Sequence, residues 1–122
     1  MVNYIPHRNE IIWLDFEPTK GKEIGKYRPA LVLSSKTYNK KTGLLICCPI
    51  STSIRGHLTE VAIANLDKPS VVAASLIQTL SWKDRKAKLI KNADKGVFEQ
   101  VLLRIIPLIG ADEVIGHFIE PP

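Results

Sequence analysis

The sequence has no apolar run long enough to cross a membrane. Its longest run, Leu44–Ile50, covers about seven residues, whereas a membrane-spanning helix needs roughly 20. The N-terminal segment contains Pro6, His7, Arg8 and Asn9 where a signal peptide would have an apolar stretch. From these absences we expect no export and no membrane span, and we expect a cytoplasmic protein.

Cysteine and histidine are also too few and too widely spaced for a metal site. The two cysteines, Cys47 and Cys48, are adjacent, so the C-x-x-C spacing that lets two thiolates share one ion is missing. The three histidines lie far apart in the sequence, and no H-E-x-x-H motif occurs. We therefore expect no metal and no other cofactor. Because side chains alternate along a strand, we expect the two cysteines to face opposite sides, as small core and surface residues.

Two enzyme classes lack their motifs as well. Gly21 and Gly25 flank a lysine, but the G-K-S/T ending of a phosphate-binding loop is missing, so nucleotide hydrolysis is not expected. Asp15 and Glu17 lie two residues apart, as a catalytic carboxylate pair could. A solvated strand face is the favoured interpretation, because nothing marks either carboxylate as desolvated.

The composition that remains is that of one globular domain with a basic surface. The chain has 122 residues, 45% hydrophobic and 24% charged, which fits a single folded domain over residues 1–122. Lys and Arg number 17 against 12 Asp and Glu, which gives a net charge of +5. A polyanionic partner such as nucleic acid is consistent with this charge, although the charge alone does not establish one.

The hydrophobic pattern changes period about two thirds of the way along the chain. Val97, Val101, Ile105 and Leu108 recur at helical spacing, whereas the earlier segments alternate or are continuously apolar. We predict a mainly β protein with one C-terminal helix and an appended strand or tail over residues 111–122. The predicted strands are 11–17, 30–33, 44–50, 58–64, 71–80 and 86–90. The predicted turns are 39–43, 67–70 and 82–85, and the first long loop is 18–26. The predicted helix has Asp94 as its N-cap, Pro107 near its end and Gly110 as its C-cap.

Basic residues form the strongest candidate site. They cluster in and after the first long loop and again in later strands: Lys20, Lys22, Lys26, Arg28, Arg55, Lys83, Arg85, Lys86, Lys88 and Lys91. Clustered cations track phosphates, but they equally form ordinary solvated surfaces. Arg28 differs because it precedes Pro29 and a buried strand, where a fixed guanidinium can contact a phosphate with two N–H groups. Ser51 and Thr52 end another buried strand, where hydroxyls can bind a phosphate oxygen or satisfy a turn.

Several blocks of this sequence resemble the MazF/PemK family of toxins. The matching blocks cover nearly the whole chain to Gly110: Asp15-Phe16-Glu17-Pro18-Thr19-Lys20-Gly21, Tyr27-Arg28-Pro29-Ala30-Leu31-Val32-Leu33-Ser34, Tyr38-Asn39, Lys41-Thr42-Gly43 and Pro49-Ile50-Ser51-Thr52. The resemblance implies an SH3-like β-barrel of the MazF/CcdB type and a homodimer that is neutralised by an antitoxin protein. It also implies a metal-independent endoribonuclease that cleaves single-stranded mRNA at short sequences.

The resemblance also assigns roles to residues. It implies that Arg28 is the catalytic arginine and that Ser51 stands where the family usually has threonine, with Thr52 beside it as a substitute. The side chains expected to bind RNA are Lys20, Lys22, Glu23, Lys26, Tyr27, Arg55, Lys83 and Arg85, of which Glu23 matches an acidic residue of the family's first loop. Ser75 and Leu76 replace an Asp-Gln pair of many relatives, so the general base stays open.

Two other functions compete with this interpretation. The first is a non-catalytic barrel that binds single-stranded nucleic acid by charge and stacking. Aromatic residues make up only 7% of the chain, and Trp13, Tyr27, Tyr38 and Trp82 are not grouped into a stacking platform by the sequence. The second is a CcdB-like toxin that targets a protein. The C-terminus of this chain resembles the CcdB type too little to favour that function.

Overall fold

A curled, antiparallel β-sheet forms the body of the protein. The computed structural model describes residues 4–64 and 66–119. The seven strands are β1 (Glu10–Asp15), β2 (Tyr27–Val32), β3 (Leu44–Ser51), β4 (Glu60–Ile63), β5 (Ser70–Ala73), β6 (Gln78–Ser81) and β7 (Lys88–Asn92), and the helices are α1 (Lys36–Thr42), α2 (Val97–Leu108) and α3 (Ala111–Ile119). The strand order is β4-β5-β3-β2-β1-β7, with β6 paired to the start of β3. The prediction of a mainly β fold with C-terminal helical structure is confirmed.

The sheet buries apolar side chains on both of its faces. The helix-facing core includes Leu31, Cys48 and Val101, and the second core includes Val32 and Cys47. The two cysteines therefore face opposite sides of β3, as their adjacency predicts. The expectation that one is a surface residue is wrong, because both are fully buried. The reason is that β3 lies at the middle of the sheet and is covered on both faces.

Helix α2 covers the helix-facing core with one apolar stripe. Val97, Val101 and Ile105 follow each other at four-residue intervals and are all buried. Gly110 has φ +75° just after the helix, as a glycine at a helix C-terminus does. The predicted N-cap is wrong by two residues. Gly96, with φ +94°, occupies the cap position, and the Asp94 carbonyl accepts the Val97 N–H.

A helix replaces the predicted turn between β2 and β3. Helix α1 begins after Ser35, whose hydroxyl accepts the Tyr38 N–H at 3.2 Å, and it ends at Gly43 with φ +72°. The buried Asn39 side chain donates to the Pro6 carbonyl at 2.8 Å and so fixes the helix to the N-terminal segment. The turn prediction missed this element because it weighed the polar composition and not the N-cap serine.

The predicted strand over 71–80 is two strands with a turn between them. A short 3₁₀ turn, Ala74–Leu76, separates β5 from β6. It lets the chain pair with the end of β3 through β5 and with the beginning of β3 through β6. Continuous β propensity cannot report such a change of partner, since both halves favour a strand equally.

The C-terminal segment is helical and not a strand or tail. Helix α3 follows α2 directly after Gly110 and carries Asp112 and Glu113 in its first turn, where the helix dipole favours negative charge. Residues 120–122 of the predicted tail lie outside the described residues. Within the described part of the chain, none of the helices is long and apolar enough to span a bilayer.

Candidate active site

Arg28 lies at the entrance of β2, where the first long loop joins the sheet. It pairs with Leu14 of β1, and its Nε donates a hydrogen bond to the Gly25 carbonyl at 2.6 Å. The side chain is partly buried, and this burial lowers the pKa of the guanidinium. Among the described residues, none forms a hydrogen bond or ion pair with its two Nη groups. Arg28 therefore keeps its two-nitrogen edge available for an anion.

Ser51 is the last residue of β3, the strand that pairs with β2. Ala30 is opposite Pro49 in the antiparallel pairing of β2 with β3. If this register continued two residues further outward on each strand, Arg28 would be opposite Ser51, although Ser51 itself pairs with Val71 of β5. Since side chains alternate along a strand, both project on the face that carries the second core. Arg28 and Ser51 therefore lie on one face of the sheet, each at the end of its strand.

Thr52 belongs to the opposite side of the sheet. It lines a groove of about 320 Å³, here called the Trp13 groove, with Trp13, Pro29, Leu66 and Ile90. The rings of Trp13 and Tyr27 stack with centroids 5.4 Å apart, and both are exposed. The sequence-based statement that the aromatic residues are not grouped is therefore wrong for this pair. Positions 13 and 27 are neighbours only through the register of β1 with β2.

A cavity next to Ser51 collects charged side chains from two loops. The Ser51 cavity has a volume of about 350 Å³, and its lining includes Lys22, Glu23, Ser51, Arg55, His57 and Glu60. Three of the predicted RNA-binding side chains therefore meet here: Lys22, Glu23 and Arg55. Lys20 and Lys26 are exposed on the same first loop but do not line the cavity. The Ser51 Oγ also accepts the Ser53 N–H at 3.0 Å, which turns the chain after β3.

Sequence reasoning missed two residues of this cavity, His57 and Glu60. The Glu60 carboxylate accepts the N–H of Gly56 at 2.9 Å and the N–H of Arg55 at 3.2 Å. Glu60 thereby holds the loop that carries Arg55 and His57 against the start of β4. A glycine with positive φ followed four residues later by an acidic residue is the only local signal for this brace.

The later basic residues lie elsewhere. Lys83 stands over the Trp82 ring, 5.7 Å from its centroid, and both line a different cavity with Tyr4 and Lys40. Arg85 donates from Nη1 to the carbonyls of Asp15 at 3.0 Å and Glu17 at 2.9 Å. The structure therefore ties Arg85 to the base of the first long loop. Tyr27 donates its hydroxyl to the Lys86 carbonyl at 3.1 Å.

The described residues include no group of three or more His, Cys, Asp or Glu side chains placed to hold one metal ion. The side chains of the two cysteines lie on opposite faces of the sheet. Burial raises the pKa of Cys48 to about 12. Both thiols are fully buried and neutral near pH 7, which is the state of structural cysteines.

Comparisons with known proteins place this chain among the MazF-like toxins. The family described as PemK-like, MazF-like toxin of type II toxin-antitoxin system matches residues 7–109. The Endoribonuclease toxin MazF of Escherichia coli (strain K12) is 39% identical over 84 residues, which cover 69% of this chain and 76% of that protein.

Solved structures of MazF proteins have the same fold as this chain. The crystal structure of MazF from Deinococcus radiodurans is similar with a TM-score of 0.85 at 37% identity, covering 88% of this chain and 99% of that one. The toxin in a crystal structure of MazE-MazF from the same organism is similar with a TM-score of 0.78 at 37% identity, covering 88% and 98%. The MazF-type fold expected from the sequence is therefore confirmed.

Proposed function

This chain belongs to the PemK-like, MazF-like toxins of type II toxin-antitoxin systems and is an endoribonuclease, and from that premise we propose how it cleaves RNA. The substrate is single-stranded mRNA in the cytoplasm, cut at a short sequence without a metal ion. The observation that carries this proposal is the Arg28 guanidinium at the outer end of β2, whose Nη groups have no partner among the described residues and which lies on the same face of the sheet as Ser51 of β3. A cation with a free two-nitrogen edge beside a hydroxyl is suited to bind one phosphodiester.

The proposed reaction uses the nucleophile that RNA itself supplies. The 2′-hydroxyl gives up its proton to a base as its oxygen attacks the adjacent phosphorus. The bond from phosphorus to the 5′-oxygen breaks, an acid protonates that oxygen, and the products are a 2′,3′-cyclic phosphate and a 5′-hydroxyl. Arg28 stabilises the charge that develops on the phosphoryl oxygens, and Ser51 orients the phosphate. The lowered pKa of Arg28 also favours proton donation to the departing 5′-oxygen.

RNA reaches this end of the sheet past the two loops of the Ser51 cavity. Lys22 and Arg55 supply positive charge there, and His57 adds a ring that can stack on a base or accept a proton. Lys20, Lys26 and Tyr27 extend this surface along the first long loop. Lys83 and Arg85 remain proposed RNA contacts from the sequence, although Lys83 lines the cavity near Trp82 and Arg85 is already bonded to two carbonyls.

We also propose two protein partners. A second copy of the chain would cover the exposed apolar residues of α2 and α3, namely Leu103, Leu108, Ile109, Val114 and Ile115. A cognate antitoxin would contribute an acidic segment, which complements the net charge of +5. The solved MazE-MazF assemblies of the Deinococcus radiodurans relative support this second partner.

The test is cleavage of a long mixed-sequence RNA by the purified protein in excess chelator, with the fragment ends mapped. We expect discrete cuts that leave 2′,3′-cyclic phosphates. We also expect each cut to vanish when the nucleotide on the 5′ side of the cleaved bond carries a 2′-deoxy sugar. Cleavage that needs a divalent cation, or that survives the 2′-deoxy substitution, would refute the proposed chemistry. Retention of intact RNA without cuts would favour the non-catalytic barrel, and neither cutting nor binding would favour the protein-targeting toxin.

A further inference from the structure

The carboxylate of Glu17 fills the space beside Gly25 at the base of the first long loop. A Cβ atom built on Gly25 would overlap Glu17 Oε1, so a larger residue there would displace the carboxylate. The φ angle of Gly25 is outside the left-handed region, so φ alone does not require a glycine at this position. The glycine therefore leaves the carboxylate of Glu17 its place beside the turn.

The same carboxylate oxygen holds the neighbouring backbone. Glu17 Oε1 accepts the Lys26 N–H at 3.1 Å and lies 3.4 Å from the Thr19 hydroxyl that donates to it. Lys26 has φ +71°, a conformation that a lysine rarely adopts without support. The carboxylate thus stabilises the turn formed by residues 25 and 26.

That turn holds Arg28. The Gly25 carbonyl accepts the hydrogen bond from Arg28 Nε at 2.6 Å, and a bond to Nε fixes the plane of the guanidinium while it leaves both Nη groups available. The described residues show no ion pair between the Glu17 carboxylate and the guanidinium. Glu17 therefore acts on Arg28 through the backbone and does not neutralise its charge.

Glu17 is itself anchored to the sheet. Its N–H donates to Asp15 Oδ1 at 3.0 Å, and its carbonyl accepts from Arg85 Nη1 at 2.9 Å. Arg85 donates in addition to the Asp15 carbonyl at 3.0 Å. The backbone of Glu17 is therefore fixed through its N–H and through its carbonyl. A fixed backbone lets its carboxylate position another residue.

We propose that Glu17 is a positioning residue for Arg28 and acts through Gly25. This inference rests on the proposed function, in which Arg28 contacts the scissile phosphate. Since Glu17 orients the guanidinium and does not touch RNA, its loss lowers kcat more than it raises KM.

The first test compares Glu17→Ala and Glu17→Gln with the wild-type protein on one RNA under steady-state conditions. We expect Glu17→Ala to lower kcat roughly tenfold with KM within about twofold, because a displaced catalytic group slows the bound complex. Glu17→Gln keeps an oxygen acceptor for Lys26 and restores most of kcat. Glu99→Ala, which removes an exposed carboxylate from α2, is the matched control and leaves kcat unchanged.

The second test is a double-mutant cycle between the carboxylate and the glycine. Gly25→Ala alone should reproduce the loss of kcat, because its Cβ displaces the carboxylate. In the Glu17→Ala background, Gly25→Ala should cost less than about twofold more, since the overlapping carboxylate is gone and only the Thr19 hydroxyl, 3.1 Å from the built Cβ, remains close. A simple loss of loop stability would give additive losses instead.

The outcomes separate this inference from the proposed function. If the wild-type protein cuts RNA, Arg28→Ala does not, and Glu17→Ala matches wild type, then the positioning role is wrong and the proposed function stands. A Glu17→Gln variant as slow as Glu17→Ala, or additive losses in the cycle, would also overturn the role. If the wild-type protein makes no cuts, both proposals fall. Thermal unfolding of each variant confirms that a slow protein is folded.

Discussion

Strands β2 and β3 have different surroundings at their centre and at their end, although the two places lie only three residues apart on each strand. At the centre, Leu31 and Cys48 are opposite each other and fully buried. At the end, Arg28 and Ser51 are partly exposed, and loops with polar contacts adjoin each of them. The centre stabilises the fold through apolar packing, whereas the end carries the proposed chemistry, so stability and activity should be separable by mutation.

Leu31→Ala tests the centre and should have the largest effect. The side chain is fully buried in the helix-facing core, so we expect a loss of about 2–5 kcal/mol in the free energy of unfolding. Urea unfolding measures this loss, and Leu58→Ala is the matched control because Leu58 is 91% exposed. RNA cleavage per folded molecule should stay at the wild-type level. A specific loss of cleavage in the folded variant would contradict the separation.

Glu60→Ala tests the loop on the far side of the Ser51 cavity. The carboxylate accepts two backbone N–H groups of the loop that carries Arg55 and His57. Without it the loop can shift, so we expect KM for RNA to rise roughly tenfold while the free energy of unfolding falls by about 1 kcal/mol. Steady-state cleavage and urea unfolding check the two values. An unchanged KM would show that the loop does not help to bind RNA.

Ser51→Ala and Thr52→Ala together test which hydroxyl belongs to the end of the sheet. Ser51 shares a face with Arg28, whereas Thr52 lines the Trp13 groove. We expect Ser51→Ala to lower the rate of single-turnover cleavage about fivefold and Thr52→Ala to change it less than about twofold. The reverse order would place the phosphate on the Trp13 side of the sheet.

The cysteines at the centre give the smallest expected effect, a change of stability with pH. Burial raises the pKa of Cys48 from 9.0 to about 12 and raises the pKa of Cys47 as well. The thiols ionise more readily in the unfolded chain, so stability is full well below pH 9, begins to fall as the pH approaches 9, and falls further as it rises toward 12. Between pH 8 and 9 the expected loss is under about 1 kcal/mol.

Urea unfolding at pH 8 and pH 9 measures this loss. The variant with both Cys47→Ala and Cys48→Ala is the control, because it removes the two thiols and should show a smaller pH dependence. An equal dependence in both proteins would mean that other groups, such as Tyr4, account for it. Burial together with the hydrogen bond to Glu10 raises the Tyr4 pKa too.

The same contrast explains what the sequence could predict. Alternation along β3 correctly predicted that Cys47 and Cys48 face opposite sides. Helical spacing correctly predicted the stripe of Val97, Val101 and Ile105 on α2, whereas Leu108, the last residue of the predicted stripe, is 54% exposed. These features depend on local periodicity, which a sequence displays directly. The resemblance to the MazF/PemK family is confirmed, while the roles of its individual site residues remain predictions.

The missed features depend on contacts between distant residues. The stacked pair of Trp13 and Tyr27 follows from strand register, and Arg85 binds carbonyls some 70 positions earlier in the chain. The braces formed by Glu17 and Glu60 join side chains to backbone N–H groups, and hydrophobic pattern carries no information about such bonds. Polar loops around a site are therefore where sequence reasoning loses most detail.

The most direct test of the central claim measures Arg28→Ala and the wild-type protein in two ways on the same preparations. One measurement is the single-turnover rate of RNA cleavage in chelator, and the other is the free energy of unfolding. We predict a cleavage rate at least about 100-fold lower and a free energy of unfolding within about 1 kcal/mol of wild type. Cleavage by Arg28→Ala at the wild-type rate would contradict the assignment of this end of the sheet as the active site.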